Sequence, residues 1–421
     1  MLRTPPLSLL QIVPNYAAKP TGGAPARILY LGASLARHMD VTQAGFLPPG
    51  HTGPAPEPPE DTPPTQHFVP VPRSGAYRAA DLVWGALGRV PFSVRNYTRT
   101  EMRAAIARLL EERRFDIVLL EGVHMGEYLP LVSSGGRRPL IVSDWHNIES
   151  EILRRYGQAA SSPWRKAYAR HAAGKLESYE RWFVNQCDLH VTVSERDRER
   201  LIGDYGCGKP VVVIENGIPF AYFAGEASAQ DRQRPRSRIL FVGAMDYHAN
   251  VAAAQDFARE VWPALRAAAP HLVFTVVGRN PPPALRALAG SDGIEITGTV
   301  PDVRPYYRDA VAAVVPLRVG GGTRIKILEA MAAGVPVVST VLGAEGLTAT
   351  PGEHYLLADS SAQMLAALQG LLADPARAER LSAAGRDFVH RRHDWSLLGD
   401  QLARHLLELA SKTVAGTTVK P

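Results

Sequence analysis

Two doubly wound α/β domains are the architecture this sequence predicts, and three observations predict it. A chain of 421 residues exceeds the roughly 250–300 residues over which a single hydrophobic core keeps growing. Short continuous apolar runs alternate with stretches of helical periodicity, the pattern of a parallel sheet covered on both faces. The alternation pauses once, over the polar stretch 225–238, and then restarts. With 46% hydrophobic and 21% charged residues, the chain has the composition of a folded globular protein and not of a disordered one.

The elements follow in order. The run 7–13 reads as a first strand that ends before Pro14, and Gly22 and Gly23 then open a helix over 24–38. The Pro-rich segment 48–64 reads as an irregular surface loop. A helix over 99–114 leads to strands at 117–120 and 140–143, a long polar helical stretch, and strands at 189–193 and 211–214. After the pause, strands are expected at 239–242, 272–277, 294–297, 311–316 and 335–339, with helices from about Ala249 and after Gly322. Near the end, Leu397, Leu398, Leu402, Leu406 and Leu409 fall at helical spacing. The division this predicts is a first domain over 1–218, a linker over 219–236, a second domain over 237–393 and a C-terminal helix within 394–421. That helix is able to cap either domain and is expected to pack back on the first.

Composition excludes several function classes. Two cysteines, Cys187 and Cys207, are too few for a disulfide framework and lack the spacing of a zinc site, so a reducing, cytoplasmic compartment is expected. No run approaches the roughly 20 consecutive apolar residues of a spanning helix, and the run 7–13 lacks a cleavage site, so it reads as a strand and not as a signal peptide. The net charge of +6 permits an anionic membrane surface as partner, peripherally, but is too small to argue for nucleic acid. No Asp-x-Asp dyad marks a metal site, and no Gly-x-Gly-x-x-Gly follows a strand as a dinucleotide oxidoreductase requires. No cofactor and no metal are expected.

The most informative stretch is 320–331, where Gly320, Gly321 and Gly322 sit between an apolar strand and a helix. A helix N-terminus there offers unpaired N–H groups and a positive dipole end, and glycine lets a ligand approach the backbone. Arg324 and Lys326 place two cations in the first turn, which is unfavourable against the helix dipole unless an anion offsets it. The same pattern also fits a flexible loop followed by an exposed basic helix face. Glu329, three residues after Lys326, is placed either to pair with it or to accept hydrogen bonds from ribose hydroxyls.

At this point a resemblance is clear. Phe241-Val242-Gly243, Val276-Val277-Gly278-Arg279, Thr297 to Val303, Leu328-Glu329-Ala330-Met331 and Gly334 to Val338 are similar to the donor-binding half of glycosyltransferase family 4. Thr21-Gly22-Gly23-Ala24, Ser194-Glu195 and Ile214 to Ile218 resemble that family's acceptor-domain landmarks. The resemblance implies the GT-B fold, two Rossmann-like domains facing each other across a cleft, and a retaining, metal-independent hexosyltransferase. Its donor would be a nucleoside-diphosphate sugar and its acceptor a saccharide or lipid-linked saccharide, in polysaccharide biosynthesis. It implies that Gly22, Gly23, Arg324 and Lys326 hold the diphosphate, that Gly321, Gly322, Thr323 and Asn216 hold the donor sugar, and that Glu329, Thr299 and Val300 hold the ribose and base.

The chain departs from the family pattern twice. Eight positions before Glu329, where the family's Glu-x7-Glu signature has its first carboxylate, stands Gly321; the amides of Gly321, Gly322 and Thr323 are expected to replace it. Between Gly243 and Asn250, where many members carry Arg and Lys, neither occurs, so the cationic load falls on Arg324 and Lys326.

In the first domain, His146 follows the run 140–143 at a strand's carboxyl end, and resembles the family residue beside the anomeric centre, where it would stabilise developing charge. A loop histidine bound to its neighbours is the plainer reading. Glu121 and His124, at a similar strand end, are candidates for acceptor binding or for a base. Over 154–181, Arg165, Lys166, Arg170 and Lys175 occur with Trp164, Tyr168 and Tyr179 in a helical pattern, followed by Trp182. That mixture suits an anionic bilayer surface, and equally a solvated face with its aromatics packed inside. Two alternatives to a transferase are a non-catalytic nucleotide-sugar-binding protein and a nucleoside-diphosphate-sugar 2-epimerase; no convincing acid and base pair for the latter is found.

Overall fold

The computed structural model describes residues 6–16, 23–54, 56–57, 65–74, 81, 84–85, 87–133, 138–160, 162–225, 236–319 and 324–416. The chain divides into two compact units, one of Met1–Asn216 with Trp395–Pro421 and one of Gly217–Asp394.

Unit 1 is built on a seven-stranded sheet. Its strands are β1 (Ser8–Val13), β2 (Asp40–Phe46), β3 (Gln66–Val71), β4 (Ile117–Glu121), β5 (Leu140–Trp145), β6 (Leu189–Thr192) and β7 (Val211–Val213), in the order β3-β2-β1-β4-β5-β6-β7. Every pairing is parallel. The winding reverses between β1 and β4, the place where open α/β sheets bind ligands outside their strands' carboxyl ends. Strand β4 is buried along its whole length, as a strand covered by helices on both faces must be.

The helices of unit 1 that bear on the site are α1 (Gly23–Leu35), α2 (Thr100–Glu112), α3 (Glu149–Ala159) and α4 (Pro163–Phe183). One core holds Leu10, Ile12, Val118, Leu120 and Phe183. The other holds Leu9, Leu31, Leu35, Leu119 and Val142 together with Leu398, Leu402 and Leu406 of the C-terminal helix Trp395–Gly416. That helix is tied to α1 by Ser34 Oγ, which donates to the Trp395 carbonyl at 3.0 Å. Gly399 crosses there so closely that a Cβ would lie 2.1 Å from that of Ser34.

Unit 2 repeats the winding with six parallel strands: β8 (Arg238–Val242), β9 (Val273–Val277), β10 (Ile294–Gly298), β11 (Ala310–Val315), β12 (Val337–Ser339) and β13 (Leu356–Leu357), in the order β10-β9-β8-β11-β12-β13. Its reversal lies between β8 and β11. The helices needed below are α5 (Phe220–Ala224), α6 (His248–Glu260), α7 (Arg304–Arg308) and α8 (Ile325–Ala332).

The structure differs from the sequence expectations in places. Strands β2, β3 and β13 and the helices Ser361–Ala373 and Pro375–Arg392 were not anticipated. The helix expected over 24–38 runs Gly23–Leu35. The strand expected over 140–143 runs on through Asp144 to Trp145, so that His146 directly follows it. The expected linker 219–236 begins with α5, whose Phe220 stacks on His390 at 4.5 Å and whose Phe223 meets Tyr307 edge-on, so this part is integral to unit 2.

Candidate functional site

In unit 1 a chain of polar side chains runs from inside β2 and β1 to the carboxyl ends of β4 and β5. Gln43 Nε2 donates to Gln11 Oε1 at 2.8 Å, Gln11 Nε2 donates to Glu121 Oε1 at 2.6 Å, and Glu121 Oε2 meets His146 Nε2 at 2.7 Å. All of Gln43, Gln11 and Glu121 are buried. Gln43 fixes the Gln11 amide so that its NH2 donates to one oxygen of Glu121, which leaves the second oxygen for His146. Room for this ladder comes from Gly32 of α1, where a Cβ would lie 2.9 Å from Gln11 Oε1.

On its other side His146 Nε2 lies 3.7 Å from Asp144 Oδ2. Asp144 is gripped by Arg27, which donates from Nε at 2.6 Å and from Nη2 at 2.9 Å. Arg27 also donates from Nη1 to the carbonyls of Ile214 at 2.8 Å and Glu215 at 3.1 Å. Burial alone would lower the basicity of His146, but the hydrogen bond it donates to Glu121 and the charges of Asp144 and Glu121 outweigh it, so its pKa is raised. The imidazolium therefore persists to higher pH than in water. Glu121, Asp144 and His146 bring ligand-type atoms within 4.8 Å of one another. Both Asp144 oxygens nevertheless accept from a guanidinium, a fixed cation that already compensates the cluster.

His124 sits in the turn of 3-10 helix after β4, against Tyr97 with ring centroids 5.3 Å apart. Burial and the charge of His146 push its pKa down to about 4, which makes it neutral at pH 7. Glu121 was expected as an acceptor or base candidate; its side chain is instead wholly buried between Gln11 and His146. Asn216 Oδ1 lies 3.5 Å from Arg27 Nη1. Gly23 begins α1, while Gly22 lies outside the described residues.

In unit 2 the corresponding place is the carboxyl ends of β8, β9 and β11. Gly321, Gly322 and Thr323 lie outside the described residues, and α8 begins at Ile325 with Arg324 as its N-cap. Lys326 Nζ donates to Asn250 Oδ1 at 2.7 Å and sits 4.8 Å from the centroid of the Phe241 ring. A Cβ on Gly243 would come within 3.1 Å of that nitrogen, so a glycine at the end of β8 keeps the space open. Gly278, at the end of β9, is packed harder: a Cβ there would lie 1.7 Å from the Gly243 carbonyl oxygen.

Arg324 is almost wholly buried and donates to Glu345 Oε2 at 3.2 Å. Glu329 accepts from the Tyr307 hydroxyl of α7 at 3.0 Å. No ion pair joins Lys326 to Glu329 among the described residues, which corrects the pairing that their spacing suggested; each has taken a neutral partner. Burial, together with the neighbouring charge of Arg324, lowers the Lys326 pKa to about 8 against the opposing pull of Glu329. Burial raises the Glu329 pKa to about 7, with Tyr307 and Lys326 opposing. Thr299 is exposed just after β10, and Val300 is half-buried against the unit 2 core.

Sequence reasoning missed Gln11, Arg27 and Asp144 in unit 1, and Asn250 and Tyr307 in unit 2. Arg27 and Asp144 are separated by 117 residues, and no local pattern joins them. A signal for Gln11 was present: a glutamine inside an otherwise apolar strand must find a partner.

Comparison with known proteins gives two family matches. Residues 21–222 match the profile described as Glycosyltransferase Family 4, and residues 236–374 match Glycosyl transferases group 1. A phosphatidyl-myo-inositol mannosyltransferase of Mycobacterium leprae is 30% identical over 203 residues, 47% of this chain and 53% of that protein. The chain spans about half the length of the curated relatives it matches. Among solved structures, a sucrose-phosphate synthase from Thermosynechococcus elongatus superposes with a TM-score of 0.72 at 17% identity, covering 96% of this chain and 100% of that one. HepE of Anabaena, in complex with UDP and glucose, superposes with a TM-score of 0.59 at 14% identity, covering 94% and 98%. The fold shared with these structures is GT-B.

Proposed function

Because this chain belongs to glycosyltransferase family 4, we propose that it is a retaining, metal-independent hexosyltransferase that uses a nucleoside-diphosphate sugar. The acceptor is a saccharide or a lipid-linked saccharide, and the product enters polysaccharide synthesis. The observation that carries this reading is the environment of Lys326: a half-buried ammonium beside a buried guanidinium, its pKa drawn down to about 8, with only the amide of Asn250 as its hydrogen-bond acceptor among the described residues. Arg324 has Glu345 as its carboxylate partner, whereas Lys326, close enough to be repelled by Arg324, enters no ion pair among the described residues. A cation at the start of a helix is unfavourable until an anion joins it, and a diphosphate supplies that anion. Unit 2 then provides the nucleotide site, with Arg324 and Lys326 on the diphosphate, the backbone of Gly321, Gly322 and Thr323 at the donor sugar, and Glu329 at the ribose. Thr299 and Val300 border the base.

In the reaction the bond from the anomeric carbon to the phosphate oxygen breaks, and its electron pair leaves with the diphosphate, where Arg324 and Lys326 neutralise it. The acceptor hydroxyl attacks the same face, and its proton passes to the departing phosphate oxygen, so no side-chain base is required. His146 of unit 1, whose protonated form is favoured by Glu121 and Asp144, stabilises the negative charge that develops on the departing phosphate as the glycosidic bond breaks. Gly22, Gly23 and Asn216 complete the unit 1 contribution, and His124, neutral at pH 7, contacts the acceptor.

The test is a thermal-shift series with UDP, GDP, ADP and dTDP and their sugars, since a ligand bound only by the folded state raises the melting temperature. At least one diphosphate should raise it, and Lys326→Ala should abolish that rise; no response to any of them sinks the reading. Activity should survive chelation by EDTA. The replacement of the first signature carboxylate by Gly321 favours one rival, a nucleotide-sugar-binding protein without turnover. Slow hydrolysis of the bound donor, followed by release of the free diphosphate, separates the two.

A further inference from the structure

Helix α4 carries an arrangement that the transfer chemistry does not use. It packs antiparallel against α3, and Gly157 of α3 lets the helices approach until a Cβ there would lie 2.8 Å from that of Ala169. Ala169, Ala173, Leu176, Tyr179 and Phe183 form the buried face of α4. On the opposite side Trp164, Tyr168, His171, Lys175 and Trp182 fall along one stripe, since they are spaced by whole turns. Trp164 is 86% exposed and Tyr168 56%. Beside the middle of this stripe, where Lys175 donates to the Gly85 carbonyl, Trp84 and Leu87 are 57% and 79% exposed.

The charges are as unusual as the aromatics. Between Pro163 and Gly174 the helix holds Arg165, Lys166 and Arg170 and no acidic residue. Arg165 and Lys166 stand in the first turn, the end where the helix dipole repels a cation. Neighbouring arginines behave differently: Arg154 pairs with Glu177, and Arg155 and Arg196 pair with Glu151. Among the described residues, none of Arg165, Lys166 and Arg170 enters an ion pair.

We propose that this end of the α3–α4 hairpin docks on an anionic phospholipid bilayer, with Trp164 and Tyr168 at the headgroup level and Arg165, Lys166 and Arg170 on the lipid phosphates. Amphipathic aromatic rings settle at a membrane interface, and basic residues near an anionic leaflet are drawn to it. An exposed tryptophan flanked by cations that lack carboxylate partners satisfies both conditions. The surface is independent of the nucleotide site, so the proposal stands or falls apart from the donor assignment.

The full chain is floated with vesicles of phosphatidylcholine alone and of phosphatidylcholine with phosphatidylglycerol. Binding is expected only to the second, and it should weaken as salt screens the surface. Neutralising each cation to glutamine should weaken partitioning roughly fivefold, and on the order of a hundredfold for the triple variant. Trp164→Ala should lose binding while its melting temperature stays near that of wild type, because the side chain is exposed. Equal flotation on neutral vesicles, absence of flotation, or a triple variant that floats like wild type overturns the proposal. A lipid-free dimer that Trp164→Ala dissolves, without lipid binding, assigns the surface to a second copy of the chain and overturns it as well.

Discussion

Arg27 holds together three segments that are far apart in sequence: it neutralises Asp144 and donates to the carbonyls of Ile214 and Glu215. Removing one partner of a buried pair leaves the other charge uncompensated, at a cost of about 3–5 kcal/mol. Arg27→Met should lower the stability of the protein by about that amount in denaturant titration. The double variant Arg27→Met/Asp144→Leu should recover much of the loss, but not all of it, because the two carbonyls still lack their donor. Lys326 gives a prediction about pH. Its pKa, lowered to about 8 by burial and by Arg324, means that the ammonium is lost as pH rises through that value in the free protein. Affinity for a nucleoside diphosphate should therefore fall above about pH 8, measured by calorimetric titration. Lys326→Arg, which does not titrate in this range, should bind with no such fall; the same decline in both proteins refutes the assignment. The sign for stability is separate: a lowered lysine pKa means that the unfolded chain binds the proton more tightly, so this group's contribution rises with pH between the folded value and the ordinary one.

At the scale of elements, the sequence was readable where the strands are largely apolar. Strands β4, β8, β9 and β11 appear in it as continuous hydrophobic runs, because a strand covered on both faces has no solvent side to alternate with. Strand β2 escaped that reading since Thr42 and Gln43 are buried polar residues, and β3 because it carries Pro70 and an exposed His67. Gln43, which helped to hide β2, is the residue that holds Gln11 against Glu121, so the buried polar chain at the candidate site is also what obscured that strand. The glycine-rich sequence 320–323, outside the described residues, marked a candidate ligand site by its composition, whereas the Asn250–Lys326 and Tyr307–Glu329 bonds join residues 76 and 22 positions apart and had no local signature. Gly278 offers a test of how tightly the strand ends are set. A methyl group there would need to displace the Gly243 carbonyl from 1.7 Å, so Gly278→Ala should cost about 3 kcal/mol, the upper range for overpacking. A variant with wild-type stability in thermal unfolding contradicts that geometry.

At the scale of the whole molecule, the chain leaves unit 1 after Asn216 and returns to it at Trp395. The returning helix brings Leu398, Leu402 and Leu406 against Leu31 and Leu35 of α1. Covering four or more aliphatic side chains is worth roughly 1.5–3 kcal/mol each, which is of the same order as the net stability of a domain. Deletion of 395–421 should thus leave unit 1 unable to fold cooperatively, visible as loss of its calorimetric transition, while the transition of unit 2 remains. During synthesis the same arrangement sets a schedule. Unit 2 emerges as one contiguous stretch, but the half translated first waits for the helix Trp395–Gly416 to leave the ribosome before its apolar flank is sealed. For that interval the nascent chain presents a sticky surface, so a stall or premature stop codon late in the message would release a product prone to aggregate.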